Sequence, residues 1–350
     1  MDPLSTTLKA SPEAFPHSLD LVSEAVAFVR LSRDELLSAS FLDARVLTPQ
    51  SRPEWIPLAR TEAAVAEAGL PERCHFVFHI GHVGSTLLSR LLGAHRSILS
   101  LREPQALRTL AQAHADLGTP ESLLGARDFE RTCGAMLALW SRSFAPDQTT
   151  VIKATSFCCE MASGLLQRPS RPRGLFMFTP PAAYLETLLG GPNNRLDIRS
   201  MAQSRLRRLH RRLGVDAWRL HEMSYAEMSA MSWACEMTAL NDAAARAPAQ
   251  TMWLDFERFL REPAAALAST FAFLGSPASQ AEIDAIAAGP EMGRYSKAPE
   301  HAYDAALRRQ VQAQARMQHG QDIAKGLAWL ERAAADFPPI AAAVQAAGAS

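Results

Sequence analysis

The chain has 350 residues, a length that suits one large α/β domain with extensions or two domains. Lys and Arg total 36 and Asp and Glu total 36, a formal net charge of 0, which excludes a surface built throughout to coat nucleic acid or an anionic membrane. With 48% hydrophobic and 21% charged residues, the composition is that of a folded protein with a substantial core rather than a disordered chain.

Residues 1–71 read as a helical extension. Ser32 and Glu35 stand at capping-box spacing ahead of Leu36, Leu37, Phe41 and Leu42. Pro49, Pro53 and Pro57 interrupt the pattern, and a short helix then ends at Gly69. The opening residues carry no basic stretch before an apolar core, so no secretory leader is expected.

The pattern changes after Cys74. Short apolar runs at 75–80, 149–152, 174–178 and 251–254 have the look of buried parallel strands. Helical patterns lie between them, at 85–94, 104–117, 128–143, 182–190, 197–213 and 225–247. Strands alternating with helices predict βαβ units and an open parallel sheet over 72–300. The remainder, 301–350, reads as a helical C-terminal extension. No apolar run reaches the ~20 residues that a membrane span needs. The five cysteines, Cys74, Cys133, Cys158, Cys159 and Cys235, show no CxxC pair or metal-ligand spacing. Buried thiols in a reduced, cytoplasmic chain are expected, with no metal site.

The segment 75–94, HFVFHIGHVGSTLLSRLLGA, carries the chemistry. A strand ends at Ile80, a glycine-bracketed turn covers Gly81, His82, Val83, Gly84, Ser85 and Thr86, and a leucine-striped helix begins. The first amides of a helix lack internal partners and carry partial positive charge, so a glycine turn at that point can close around an anion. Ser85 and Thr86 add hydroxyl donors. The ATP-binding version of such a loop needs GxxxxGK[ST], whose Lys neutralises phosphate; no Lys follows Gly84 here. The plainer reading is a tight strand-to-helix turn with incidental Gly, Ser and Thr.

The run Gly81 to Leu88 resembles the 5′-phosphosulfate loop of the sulfotransferases that use 3′-phosphoadenosine-5′-phosphosulfate (PAPS), with His82 in the basic slot and Gly84-Ser85-Thr86 for Gly-Thr-Thr. Ala94-His95 and Leu101-Arg102-Glu103-Pro104 resemble the bacterial and tyrosylprotein-type branch. The stretch Thr251 to Pro263, and Phe273-Leu274-Gly275 after it, resemble that family's late strand and following helix. The resemblance covers roughly 74–300. It implies a P-loop NTPase-like, three-layer α/β/α fold and sulfuryl transfer from PAPS, leaving its desulfated product (PAP). The acceptor would be a hydroxyl or amine on a small molecule or metabolite. Nucleic acid and membranes are not expected partners, and the oligomeric state stays open. The family's Arg at the third strand end is Thr179 here, with Thr187 eight positions on, so another group must meet the 3′-phosphate; Arg195 and Arg199 are the nearest candidates.

The resemblance implies Glu103 as the base, His82 as a donor to the leaving phosphate, and a basic segment at Arg294 and Lys297 over the cofactor. Lys153, at a strand's carboxyl edge where open α/β sheets bind ligands, is a further candidate. Each has a plainer reading: Glu103 as a helix-start carboxylate, Lys153 as a solvated strand end, and Arg294 and Lys297 as polar loop. Arg205, Arg208 and Arg212 share a helix face that reads as solvated, with recognition of the 3′-phosphate or an acidic acceptor by bidentate Arg as the functional alternative. A nucleotide-dependent phosphotransferase, or a degenerate nucleotide-binding module without catalysis, remains the alternative.

Overall fold

The computed structural model describes residues 2–191, 194–294, 302 and 304–348. Eight strands follow in chain order: β1 (Ala14–Asp20), β2 (Ala25–Arg30), β3 (Glu54–Pro57), β4 (Cys74–His79), β5 (Ile98–Arg102), β6 (Thr149–Lys153), β7 (Gly174–Phe178) and β8 (Thr251–Asp255). The last five form a parallel sheet in the order β5-β6-β4-β7-β8. Helices flank it, giving the α/β architecture expected from the alternating pattern. The strand that leads into the glycine turn is therefore the central one.

The sheet's interior explains the unbroken apolar runs. Phe76, Val77, Phe78, Leu175, Phe176, Met177 and Phe178 are all fully buried, because helices cover both faces of a parallel sheet. Aromatic rings interlock across β4, β7 and β8. Phe78 meets Phe176 edge-on with centroids 5.8 Å apart, and Phe176 meets Trp253 at 5.2 Å. All five cysteines are buried and unpaired, as their spacing implied. No helix among the described residues is long and apolar enough to cross a membrane.

The N-terminal segment departs from the helical expectation. The pairings β1–β2 and β2–β3 make a three-stranded antiparallel sheet, with helices only at Pro3–Ala10, Arg33–Ser38 and Leu58–Ala68. Ala25-Val-Ala-Phe-Val-Arg buries four consecutive residues, so it shows neither strict alternation nor a helical stripe. The 32–35 capping box is present as read: Ser32 Oγ accepts from the Glu35 amide while the Glu35 carboxylate accepts from the Ser32 amide. The C-terminal part is helical, Ala305–Asp336 with a kink at His319, then Pro338–Gly348.

β5 was not anticipated, and it carries the joint between the two sheets. Arg102 at its end is 1% exposed. Its guanidinium donates to the carbonyls of Leu36, Leu37 and Ala39, which close the helix Arg33–Ser38. The Leu42 amide donates to the Arg102 carbonyl at 2.7 Å, and the Gln105 amide to the Leu42 carbonyl at 3.0 Å. Burial pushes the Arg102 guanidinium down to about 10, which leaves it cationic at neutral pH. Removing the guanidinium strands several buried carbonyls. Arg102→Met is expected to lower stability by about 2–4 kcal/mol, read from the urea midpoint, and to expose residues 33–46 to limited proteolysis; an unchanged midpoint would contradict this joint.

Candidate active site

The chain runs from β4 into the Gly81–Thr86 turn and then the helix Ser85–Gly93. The turn is built from left-handed backbone: Gly81 at φ +91°, His82 at +56° and Gly84 at +66°. Gly84 is the helix N-cap, and no side chain caps that helix. A Cβ on Gly84 would be driven into the Phe256 ring, so glycine is required there for space as well as for its dihedral. Ser85 and Thr86 are 5% and 3% exposed, and the buried Thr86 hydroxyl has no hydrogen-bond partner. A bare helix start with an unsatisfied hydroxyl beside it is suited to an anion.

The turn opens into a cavity of about 770 Å³ over the carboxyl edge of the sheet. The chain leaves β4 toward β5 and leaves β7 toward β8, so a crevice forms between β4 and β7, where doubly wound sheets bind ligands. Gly81, His82, Val83, Gly84, Ser85, Thr86, Glu103 and Arg294 all line the cavity. Its walls come from all three segments of the chain: Phe41 and Arg45 from the N-terminal part, and Asp304, Ala305, Arg308 and Val311 from the C-terminal part. Five arginines line it (Arg45, Arg108, Arg205, Arg294 and Arg308) against three carboxylates (Glu103, Asp197 and Asp304). A protein of zero net charge has thus concentrated cationic groups around one opening, which favours anionic ligands.

Glu103 closes β5 with φ +52°, its amide donating to the Lys153 carbonyl at 2.8 Å. Such a conformation costs a non-glycine residue about 1–3 kcal/mol and persists where the surroundings enforce it. Two of the four described non-glycine residues with positive φ, His82 and Glu103, border this cavity. Lys153 is 1% exposed and donates to Glu103 Oε1 from below. The solvated strand-end reading of Lys153 is therefore corrected: it is buried against Glu103 and is not among the residues that line the cavity, so the candidate direct contact with a ligand is corrected as well.

Other expectations change. Arg195 and Arg199 are exposed and do not line the cavity; Arg195 lies against the Tyr225 ring, 5.4 Å from its centroid. Lys297 lies outside the described residues. Arg205 and Arg208, read as a solvated face, are each 2% exposed and pair with Glu236, which is fully buried. Thr179 is buried and donates to Glu257 Oε1 at 3.1 Å; the same oxygen takes the Arg308 guanidinium at 2.6 Å. Arg308 also stacks on Phe256, 4.8 Å from its centroid. Phe256, a buried core residue, is the ring that packs on Gly84. Arg45, Arg108 and Arg308 were missed because nothing in their local sequence distinguishes them from surface arginines. Among the described residues no group of three His, Cys, Asp or Glu is arranged to hold a metal.

No protein-family model matches the chain, and no curated protein does. Among solved structures, the sulfotransferase domain from the curacin biosynthetic pathway is similar over 71% of this chain and 97% of that one, with 16% identity and a TM-score of 0.41. A sulfotransferase from Alicyclobacillus acidocaldarius is similar over 79% and 95%, with 15% identity and a TM-score of 0.39. A retinol dehydratase in complex with androsterone and inactive cofactor PAP is similar over 92% and 94%, with 15% identity and a TM-score of 0.31. The first two carry the family name that the glycine turn resembles.

The Gly84–Phe256 contact gives a test of the cradle. Gly84→Ala is expected to lower stability by about 2–4 kcal/mol, from strained dihedral plus ring clash. In a Phe256→Ala background the same change should cost only about 1–2 kcal/mol, because the dihedral penalty alone remains. Equal costs in both backgrounds, by urea denaturation, would show that the ring does not pack on this turn.

Proposed function

We propose that the chain is a PAPS-dependent sulfotransferase acting on a hydroxyl or amine of a small molecule. The observation that carries this reading is the uncapped helix start with its unsatisfied Thr86 hydroxyl, facing a base-like carboxylate across one cationic cavity. The residues fit a phosphosulfate: Gly84 keeps the cradle free of a side chain, and Thr86 Oγ1 has a hydrogen bond to give. PAPS, when bound, supplies the sulfuryl group: the acceptor oxygen or nitrogen bonds to sulfur while the bond from sulfur to the bridging phosphate oxygen breaks.

The chain's own residues do the rest. Backbone amides of the turn, with Ser85 and Thr86, take up the charge that grows on the leaving phosphate. His82, at the mouth of the turn, adds a hydrogen bond on the same side. Glu103 accepts the acceptor's proton at Oε2. Lys153 is a positioning residue, fixing Oε1 so that the carboxylate cannot rotate away. The acceptor enters from the β5 side, because Glu103 stands at that end of the sheet edge. Phe41, Arg45 and Arg108, from the N-terminal segment and the helix Gln105–Asp116, wall that side. The nucleotide then extends toward β7 and β8, where Arg308 takes over the role first assigned to Arg195 and Arg199.

Calorimetry with PAP separates this reading from its rivals. Binding without Mg²⁺, weakening with salt, is expected. Binding of ATP only with Mg²⁺ would replace it with a phosphotransferase, and no binding of either nucleotide would leave a non-catalytic module. Glu103→Gln is expected to reduce turnover by about 10²-fold or more while PAP affinity stays within about twofold. Unchanged turnover would remove Glu103 from the reaction.

A further inference from the structure

The glycine turn lacks the lysine with which ATP-binding loops neutralise phosphate, and that gap raises the question of which cation meets the anion. The helix Asn194–Leu213 brings Arg205 against the turn. Arg205 is 2% exposed, yet it lines the cavity. Its Nε donates to Glu236 Oε1 at 3.3 Å, and Nη2 to Ser156 Oγ at 3.4 Å. Ser156 Oγ in turn lies 3.8 Å from where a Cβ on Gly81 would stand, so Ser156 stands between the guanidinium and the first glycine of the turn. The third nitrogen, Nη1, is buried without a hydrogen-bond partner. A buried guanidinium with one unsatisfied nitrogen, in the wall of a ligand cavity, lacks an acceptor that a ligand can supply.

Its placement does not depend on Glu236 needing a charge. Arg208 already binds both oxygens of Glu236, at 3.0 and 2.6 Å, and Glu236 is fully buried. Arg205 is thus the surplus cation of that buried cluster, held at the cavity edge by one shared oxygen. A second group faces it. Asp197, about two helical turns earlier and half exposed, has Oδ2 at 3.6 Å from Arg205 Nη2 and 3.4 Å from His82 Nε2. One carboxylate oxygen therefore lies close to both the Arg205 guanidinium and the His82 ring, at the turn.

We infer that Arg205 is the cation that pairs with the anion bound in the Gly81–Thr86 turn, supplied from a distant helix in place of a loop lysine, and that Asp197 is its counter-ion while that anion is absent. The ligand class is a di-anionic phosphoryl or phosphosulfate group. The assignment rests on the sulfotransferase reading only for the identity of the donor. Anion binding draws Arg205 and His82 away from Asp197, so the carboxylate opposes the ligand, and its removal strengthens binding.

The test uses two probes, PAP and inorganic pyrophosphate, in calorimetry on the full-length chain. Arg205→Met is expected to weaken both by about 10- to 100-fold. Arg205→Lys should recover only part of that, since an ammonium cannot span Glu236 and a ligand together. Asp197→Asn, at an exposed position that folding tolerates, is expected to tighten both by about 3- to 10-fold at low salt. Arg207→Met, an exposed arginine on the same helix, serves as the control and should change neither. If Arg205→Met fails to fold, the sign of the Asp197→Asn effect decides alone. Unchanged affinities in Arg205→Met, or weaker binding in Asp197→Asn, would overturn the assignment while leaving the donor reading intact. Pyrophosphate binding with these signs, but no PAP binding, would uphold Arg205 and overturn the donor. Silence of the wild type toward both probes would overturn both.

Discussion

The site depends on one electrostatic arrangement: a central parallel strand runs into a helix whose first turn no side chain caps. Ser, Thr, Asp or Asn commonly caps a helix start, as Ser32, Ser224 and Ser279 do here. The Gly84 helix has no side-chain cap, in common with the helices that begin at Leu58, Gln105, Ala126 and Pro181. What sets it apart is its place at the middle of the sheet, at the crevice between β4 and β7, beside the buried Thr86 hydroxyl without a partner. Bare amides at a helix start and a buried hydroxyl without a partner beside them can both hydrogen-bond an anion.

The glycine content of the turn follows from the same arrangement. Three departures into left-handed backbone within four residues, at Gly81, His82 and Gly84, turn the chain sharply, and Phe256 packs where a Gly84 side chain would be. His82 adopts such a conformation without being glycine, and Glu103 does so at the neighbouring strand end, directly before Pro104. Strain at these two positions is held by the surrounding packing: Lys153 grips Glu103 by carbonyl and by ammonium, and β4 anchors the turn. The groups offered as donor-side and acceptor-side catalysts are therefore two of the four described non-glycine residues in left-handed backbone.

How much of this could be read beforehand depended on where the partners lie. The turn was legible because its chemistry is local: strand, glycines, hydroxyls and apolar helix occur within twenty residues. The interior strands were legible because burial on both faces leaves a continuous apolar run. β5 escaped because Ile98-Leu-Ser-Leu-Arg is short and interrupted by a serine that bonds Ser89 and an arginine that clamps the N-terminal helix. The N-terminal sheet escaped because Pro16 interrupts β1 and alanines dilute β2, so neither period stands out. The arginine face of Asn194–Leu213 was misread for a different reason. An amphipathic pattern shows which residues share a face but not what faces them. Glu236, some thirty residues later, converts that face from solvated to buried.

That conversion explains how a neutral chain can run an anionic site. Charge balance over 350 residues says nothing about position, and here the balancing carboxylates are unevenly spent. Glu236 and Glu160 lie behind the cavity and hold Arg205, Arg208 and Arg212 in the core, while Glu257 holds Arg308 at the β8 end. Each pair fixes an arginine that would otherwise be a flexible surface side chain, and a fixed guanidinium loses little conformational entropy when it meets an anion. Burial alone would make such arginines hard to keep charged; the paired carboxylates offset that cost, and Arg205 and Arg308 still line the cavity. The cavity's cationic character is therefore a property of the tertiary fold, assembled from four separated segments around a turn that by itself carries only one histidine.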